Sequence, residues 1–200
     1  DVERYACPPA QDGLPGFSRA PDKLVVGTLA GLRPVKNIPR LVRAVTRNRD
    51  RLQLVVVGEG EQRDAIERGA RAQGLDDFHM AGFLAQPWRF MGLFDIFALS
   101  SDSEQFPISL VEAMAAGLPV ASTDVGDVAN MVSPENRSLV VSGEDALAAA
   151  LAVLAGDANM RERLGAANRK RARRDFAETA MVVSYARLYG EALARPDIFR

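Results

Sequence analysis

The sequence predicts an α/β fold: a Rossmann-like parallel sheet sandwiched by helices. Three observations predict it. Short apolar runs alternate with stretches of helical period along most of the chain. Each run is continuously apolar, as strands buried on both faces require. Glycines and polar residues gather just after the runs, at the strand ends where open α/β sheets bind ligands. At 200 residues, 48 % hydrophobic and 26 % charged, the chain is long enough for one large domain or two small ones with a sizeable core.

Residues 1–22 carry Pro8, Pro9, Pro15 and Pro21 with Gly13 and Gly16. That density blocks helix and strand interiors and reads as a linker or extended arm. The domain is expected over 23–195, with a tail at 196–200. Leu24–Leu29 reads as a buried strand, followed by a loop to Lys36. Asn37 is a helix N-cap, and Ile38, Leu41, Val42 and Val45 fall on one helical face. Leu52–Val57 is a second strand, ended by Gly58-Glu59-Gly60. A polar helix over 61–73 stops at Gly74. The alternation continues with strands over 78–81, 95–99, 118–122 and 138–141, and helices over 87–94 and 107–116. Beyond Gly143 three helices are expected, over 144–155, 160–174 and 178–194.

Charge and composition exclude several function classes. A net charge of −1 argues against a nucleic-acid protein defined by bulk positive charge. Cys7 is the only cysteine, so an intramolecular disulfide and a cysteine zinc site are ruled out. One histidine, His79, argues against a His-rich metal centre. The longest wholly apolar stretch, 146–155, falls short of the roughly 20 residues that span a bilayer. The chain opens at Asp1 without a signal segment, which fits a processed protein or a piece of a longer one.

The residues after the fourth strand carry the chemistry. Pro107 suits the first position of a helix, which would leave the amides of Ile108, Ser109 and Leu110 unpaired at its start, favouring phosphate oxygens. Glu104 would sit in the loop before that helix and Glu112 about a turn and a half inside it. Two carboxylates beside an anion site make sense for a ligand with hydroxyls flanking phosphates, because an ionised carboxylate only accepts and a vicinal diol offers two donors. A nucleoside diphosphate sugar has that layout. Arg33 and Lys36, in the loop after the first strand, supply cations for its phosphates.

Glu104 and Glu112, with Phe106-Pro107 between them and Glu112-Ala113-Met114-Ala115-Ala116-Gly117-Leu118-Pro119-Val120 after, resemble the signature of GT4-type retaining glycosyltransferases. The stretches 27–36, 57–60 and 123–126 agree, and the tail with Tyr185 and Tyr189 is similar to the family's closing helix. The resemblance covers 24–193 in consistent order and implies the C-terminal, donor-binding half of a GT-B fold. By it, Glu104 contacts the transferred sugar near the reacting carbon, Glu112 holds the ribose hydroxyls, and Arg33 and Lys36 neutralise the diphosphate. Phe106, Pro107 and the helix start at Ile108, Ser109 and Leu110 line the site, and the base lies near Met80. The two acids are expected to face one crevice. The implied reaction transfers a sugar with retained anomeric configuration, by electrostatic stabilisation of the leaving diphosphate. It needs no metal or other cofactor. The implied partners are the sugar donor, an N-terminal half and an unidentified acceptor, in a cytoplasmic setting that includes the inner membrane face.

Departures from the family pattern are Gly31 where an arginine is usual, Gln105 for a glycine, and Gly126-Asp127 with Asn130 for a Gly-Gly and a glutamate. They leave open a non-catalytic module that binds nucleotide sugars; the related two-domain sugar epimerases share the architecture. Other residues have plainer readings beside the sharp ones. Gly58 and Gly60 serve a strand-to-helix turn or touch phosphate, since the third glycine of a dinucleotide motif is absent. His79 reads as a packing residue, and Trp88, Phe90, Phe94 and Phe97 as core. The basic run 169–174 is a solvated helix face or a contact for acidic lipid.

Overall fold

Along each strand, successive side chains point to opposite faces, and in the central strands both faces are buried. β1 (Leu24–Leu29) sends Val25 to one core and Val26 to another; β2 (Leu52–Val57) does the same with Val55 against Leu54 and Val56. Such double burial, worth about 1.5–3 kcal/mol per large aliphatic side chain, explains the unbroken apolar runs. In this computed structural model, which describes residues 2–6 and 13–194, the remaining strands are β3 (Phe78–Gly82), β4 (Ile96–Leu99), β5 (Val120–Thr123) and β6 (Val140–Val141). They form one sheet in the order β3-β2-β1-β4-β5-β6 with every pairing parallel.

The helices divide between the faces. α1 (Ile38–Thr46), α2 (Arg63–Ala72) and α5 (Glu144–Gly156) cover one, through Leu41, Ile66 and Leu151. α3 (Ile108–Ala116) and α4 (Val128–Met131) cover the other, through Leu110, Met114 and Met131. α6 (Ala158–Asp175) packs on α3, and α7 (Glu178–Ala194) follows with no buried side chain. Asn37 caps α1 as its residue type predicts: its side chain accepts from the Arg40 amide, and its left-handed backbone (φ 43°) is one that asparagine tolerates.

Three expectations need correction. Residues 87–94 make two 3-10 turns, Pro87–Arg89 and Met91–Leu93, instead of one helix; Gly92 weakens a segment already short for an α-helix. β5 starts at Val120, because Pro119 has no amide to pair and contributes only its carbonyl, to Phe97 N at 3.0 Å. The sixth strand shrinks to two residues because Pro134–Leu139 is a 3-10 turn. That turn is held by Asn136, whose side chain pairs with both backbone groups of Val120 (3.0 and 2.7 Å) and accepts from Asn168 on α6 (2.9 Å).

The proline-rich arm is packed down. Val2, Tyr5 and Leu14 are buried, Phe17 stacks at a tilt on His79, and Arg19 pairs with Asp95. His79 is a packing residue, as read, with its pKa lowered by burial, but its Nε2 finds no partner among the described residues. Phe94 and Phe97 are buried and Trp88 and Phe90 pack beside them. Cys7, Pro8, Pro9 and the 196–200 tail lie outside the described residues.

Gly58 ends β2 at a φ of 139°, and a Cβ there would sit 1.8 Å from the Ala30 carbonyl oxygen. Gly58→Ala should therefore destabilise the fold by about 2–4 kcal/mol, a Tm loss of roughly 5–15 °C in thermal denaturation followed by circular dichroism. An unchanged Tm would contradict the close approach of the two loops.

Candidate functional site

β1 and β4 are neighbours at the centre of the sheet, and their following loops leave toward opposite faces. The gap between them is where an open α/β sheet accommodates a ligand. Hydrogen bonds zip the two loops together. Asp102 N donates to the Val35 carbonyl at 2.8 Å, and Ser100 Oγ donates to the carbonyls of Lys36 and Asn37 at 3.0 and 3.1 Å. Arg40 bonds the Ser100 carbonyl and the Asp102 carboxylate (3.1 and 2.6 Å), and Asn37 Nδ2 reaches both Asp102 oxygens at 3.1 Å. The Asn37 amide holds Asp102 below its ordinary carboxylate range; burial works the other way, and Arg40 adds to the lowering.

Within this frame Lys36 Nζ lies 2.5 Å from Glu104 Oε1, which also accepts from Ser101 Oγ at 2.7 Å. The two side chains are only 18 % and 10 % exposed, so the pair is largely withdrawn from water. Lys36, Glu104 and Ser109 line a hollow of about 10 Å³ at the ends of Leu29 and Leu99, the space of about one water molecule. Outside it, Arg33, Lys36, Ser103, Glu104, Gln105 and Phe106 line an open depression of about 400 Å³. Arg33 is exposed, and its guanidinium makes no hydrogen bond or ion pair among the described residues. Glu104 is fixed from behind: Gly126 lies so close that a Cβ would meet the Glu104 carbonyl at 2.1 Å, and Asp127 N donates to Gln105 O at 3.2 Å.

The start of α3 differs from expectation. Pro107 is the N-cap, with extended backbone (ψ 109°), instead of the first helical residue. Its carbonyl accepts from Leu110 N at 3.1 Å, and the Leu110 side chain is fully buried. Leu110 therefore belongs to the core and not to a binding surface. The amides of Ile108 and Ser109 keep no protein acceptor among the described residues. Pro107 is buried, while Phe106 and Ile108 are exposed, Phe106 meeting Phe176 edge-on at 5.6 Å.

The two acids do not open into one hollow. Glu112 lies a turn further along α3, facing the N-terminal arm, and lines an adjoining cavity of about 470 Å³ with Tyr5, Ile108, Phe176 and Met181; Phe106 is the wall common to both. The Tyr5 hydroxyl donates to Glu112 Oε1. Burial pushes the Glu112 carboxyl up from its ordinary value and the Tyr5 bond pulls it back; burial, reinforced by Glu112, raises the Tyr5 phenol. Sequence reasoning missed Tyr5, which sat in a segment read as an arm. It also missed Ser101, whose hydroxyl partner becomes visible only once the loop is folded.

Gly58 and Gly60 sit against the first loop. Leu32 N donates to Glu59 O at 2.9 Å, and a Cβ on Gly60 would lie 2.6 Å from Leu32 O. Both glycines are accounted for by the strand-to-helix turn. Met80 packs on the α2 face and lines a separate depression with Arg63, Glu67 and Phe78. Most of the basic run is occupied: Arg169 bonds the Ala116 carbonyl, Arg171 those of Val132 and Asn130, Arg173 pairs with Glu3 and Arg174 with Asp175. Among the described residues there is no cluster of three potential metal ligands, and no helix is long and apolar enough to cross a membrane.

The profile of the glycosyl transferases group 1 family matches residues 15–171. The chain is similar to a GDP-mannose-dependent alpha-mannosyltransferase of Mycolicibacterium smegmatis, 34 % identical over 167 residues, which are 82 % of this chain and 42 % of the relative. Its structure is similar to sucrose-phosphate synthase from Thermosynechococcus elongatus, with a TM-score of 0.82 at 23 % identity over 96 % of this chain and 51 % of that one. It is also similar to the C-terminal domain of a glycosyl transferase group 1 family protein, LpcC, from Francisella tularensis. There the TM-score is 0.73 at 21 % identity, over 89 % of this chain and all of that one. These likenesses establish the fold, a Rossmann-like domain of GT-B type. The chain spans 28 %, 42 % and 51 % of the length of three curated relatives it matches.

Acid should loosen the loop latch. Because the folded-state pKa of Asp102 lies below its ordinary 3.8, the latch contributes stability above that value and loses it as the pH falls through the depressed one. Asp102→Asn should lower stability at neutral pH by under about 1 kcal/mol, as befits a half-exposed pair. It should also narrow the difference between urea midpoints at neutral pH and at about pH 3. Identical pH profiles for the two proteins would remove Asp102 as the latch.

Proposed function

We propose that this chain, which belongs to the glycosyl transferases group 1 family, is the donor-binding half of a retaining glycosyltransferase. Its donor is a nucleoside diphosphate sugar, and its product a glycoconjugate or polysaccharide. The observation that carries the reading is the meeting of Lys36, Glu104 and Ser109 in one small hollow at the ends of β1 and β4. A cation, an acid and an unpaired amide at that spot suit a ligand with phosphate next to sugar hydroxyls.

The diphosphate takes its bonds from Lys36, the unpartnered Arg33 guanidinium and the amides of Ile108 and Ser109. When it arrives, Lys36 turns from Glu104 to a phosphate oxygen, and Glu104 Oε1 becomes free to accept from a hydroxyl of the sugar. As the bond between the anomeric carbon and the phosphate oxygen breaks, negative charge grows on the diphosphate. Donors fixed in advance, in a site of low dielectric, stabilise that charge most effectively. Glu112 accepts from the ribose hydroxyls on the other side of Phe106. Chemistry of this kind runs on fixed cations and amides without a metal.

The acceptor belongs to a second half. α7 fits a surface awaiting cover, since Met181, Val182, Tyr185, Leu188 and Tyr189 are all more than half exposed on one helix. The reading carries with it a cytoplasmic site of action, with any contact at the inner membrane face made through the parent protein. The mannosyltransferase relative, by its name, uses GDP-mannose.

In calorimetric titration the chain should bind nucleoside diphosphates in preference to inorganic phosphate, while transferring no sugar by itself. Lys36→Ala should weaken nucleotide binding about 10- to 100-fold, the loss of about 1.5–3 kcal/mol expected for a hydrogen bond to a charged group. Equal affinity for nucleoside diphosphate and inorganic phosphate would sink the reading.

A further inference from the structure

We propose that Tyr5 is a positioning residue: its hydroxyl, bonded to Glu112 Oε1, fixes the carboxylate so that its other oxygen meets the ribose diol. This rests on the reading of Glu112 as the ribose acceptor. A free glutamate side chain on a helix surface samples several rotamers, and fixing one costs up to about 2 kcal/mol. An anchor present before the ligand arrives removes that cost from binding.

Tyr5 is built to be such an anchor. Its ring is 9 % exposed and meets Trp88 edge-on at 6.4 Å, while Arg4 lies over the same indole at 5.5 Å. The 3-10 turn Arg4–Ala6 that carries it packs against α3 and against the 87–89 turn. Just before the turn, Val2 is buried and Glu3 pairs with Arg173 of α6 at 3.2 Å. The phenol is therefore held by its burial, by Trp88 and by the packing of its turn on α3 while it bonds one carboxylate oxygen. Glu112 takes no other hydrogen bond among the described residues. A carboxylate has about four lone-pair sites, so one tyrosine leaves capacity for both hydroxyls of a diol.

The electrostatics agree with this geometry. Burial works against ionised Glu112, and the Tyr5 bond favours the ionised form that a diol needs as acceptor. Burial also keeps the phenol protonated, so it remains a donor. The remaining ionisable side chain lining the cavity is Asp175, and it is tied to Arg174 and Arg171 on its own helix.

The test is Tyr5→Phe, which removes one oxygen from a buried ring. Calorimetry on the whole chain compares uridine and guanosine diphosphates with their 2′,3′-dideoxy counterparts. The parent chain should prefer at least one ribonucleotide to its dideoxy form. Tyr5→Phe should cut that preference about 3- to 10-fold, the effect of one lost hydrogen bond, and leave dideoxy binding and the melting temperature nearly unchanged. In a Glu112→Gln background, the same substitution should have no further effect on the preference. An equal fall in affinity for both ligand classes, an unaltered preference, or tighter ribonucleotide binding (the hydroxyl acting as a plug) would each overturn the proposal. If the parent chain bound diphosphates without preferring ribose, Glu112 would lose its assigned role and Tyr5 with it. Diphosphate binding through Lys36 would still stand.

Discussion

β1 and β4 lie side by side in the middle of the sheet, yet they pass the chain to helices on opposite faces: α1 packs on one core and α3 on the other. Two loops that part in this way cannot fill the space between them, and the rest of the site follows from that gap. One loop brings Lys36 and the other Glu104, and in this structure the gap closes on an ion pair at 2.5 Å. A pair so poorly hydrated holds together because Ser101 shares the load on the carboxylate and because backbone bonds fix both loops. On the proposed reading, an incoming phosphate would attract Lys36 and repel Glu104, which would favour opening the pair.

Around the gap, polar groups fix the backbone more than they face solvent. Asn136 and Asn168 are fully buried and satisfied by each other and by the backbone of Val120, Leu118 and Ser133. They moor the segment after β5 to α6, which in turn backs α3. Arginines of the basic run finish carbonyls at the ends of α3 and α4, a use consistent with the negative end of a helix. The same charges that look like an electrostatic patch in one dimension are mostly bound in three.

How much of this could be read from residue order depends on the range of the force involved. Double-sided strands announce themselves, because burial on both faces leaves no polar alternation; β1 and β2 have the expected bounds. Asn37 was readable as a cap since its bond spans three residues. The 87–94 segment was misread where helical periodicity competed with Gly92 and lost. Leu110 was misassigned because a spacing argument treats every early amide alike, whereas a local turn to Pro107 satisfies this one. Lys36 and Glu104 were expected at one site because each follows a strand end and by the family resemblance. Their direct ion pair depends on β1 lying beside β4, which residue order does not give. Glu112's true neighbour was beyond such reasoning: Tyr5 is 107 positions away, on a segment whose composition says only that it is irregular.

Phe106 stands between the depression of Glu104 and the cavity of Glu112, edge-on to Phe176. A molecule that touches both carboxylates has to fold over that ring like a strap over a peg. Flexible linkages between its two ends would permit such a bend, whereas a rigid rod of equal length would reach one acid and miss the other. Mimics of the bound molecule would then gain more from a hinge at their midpoint than from added length.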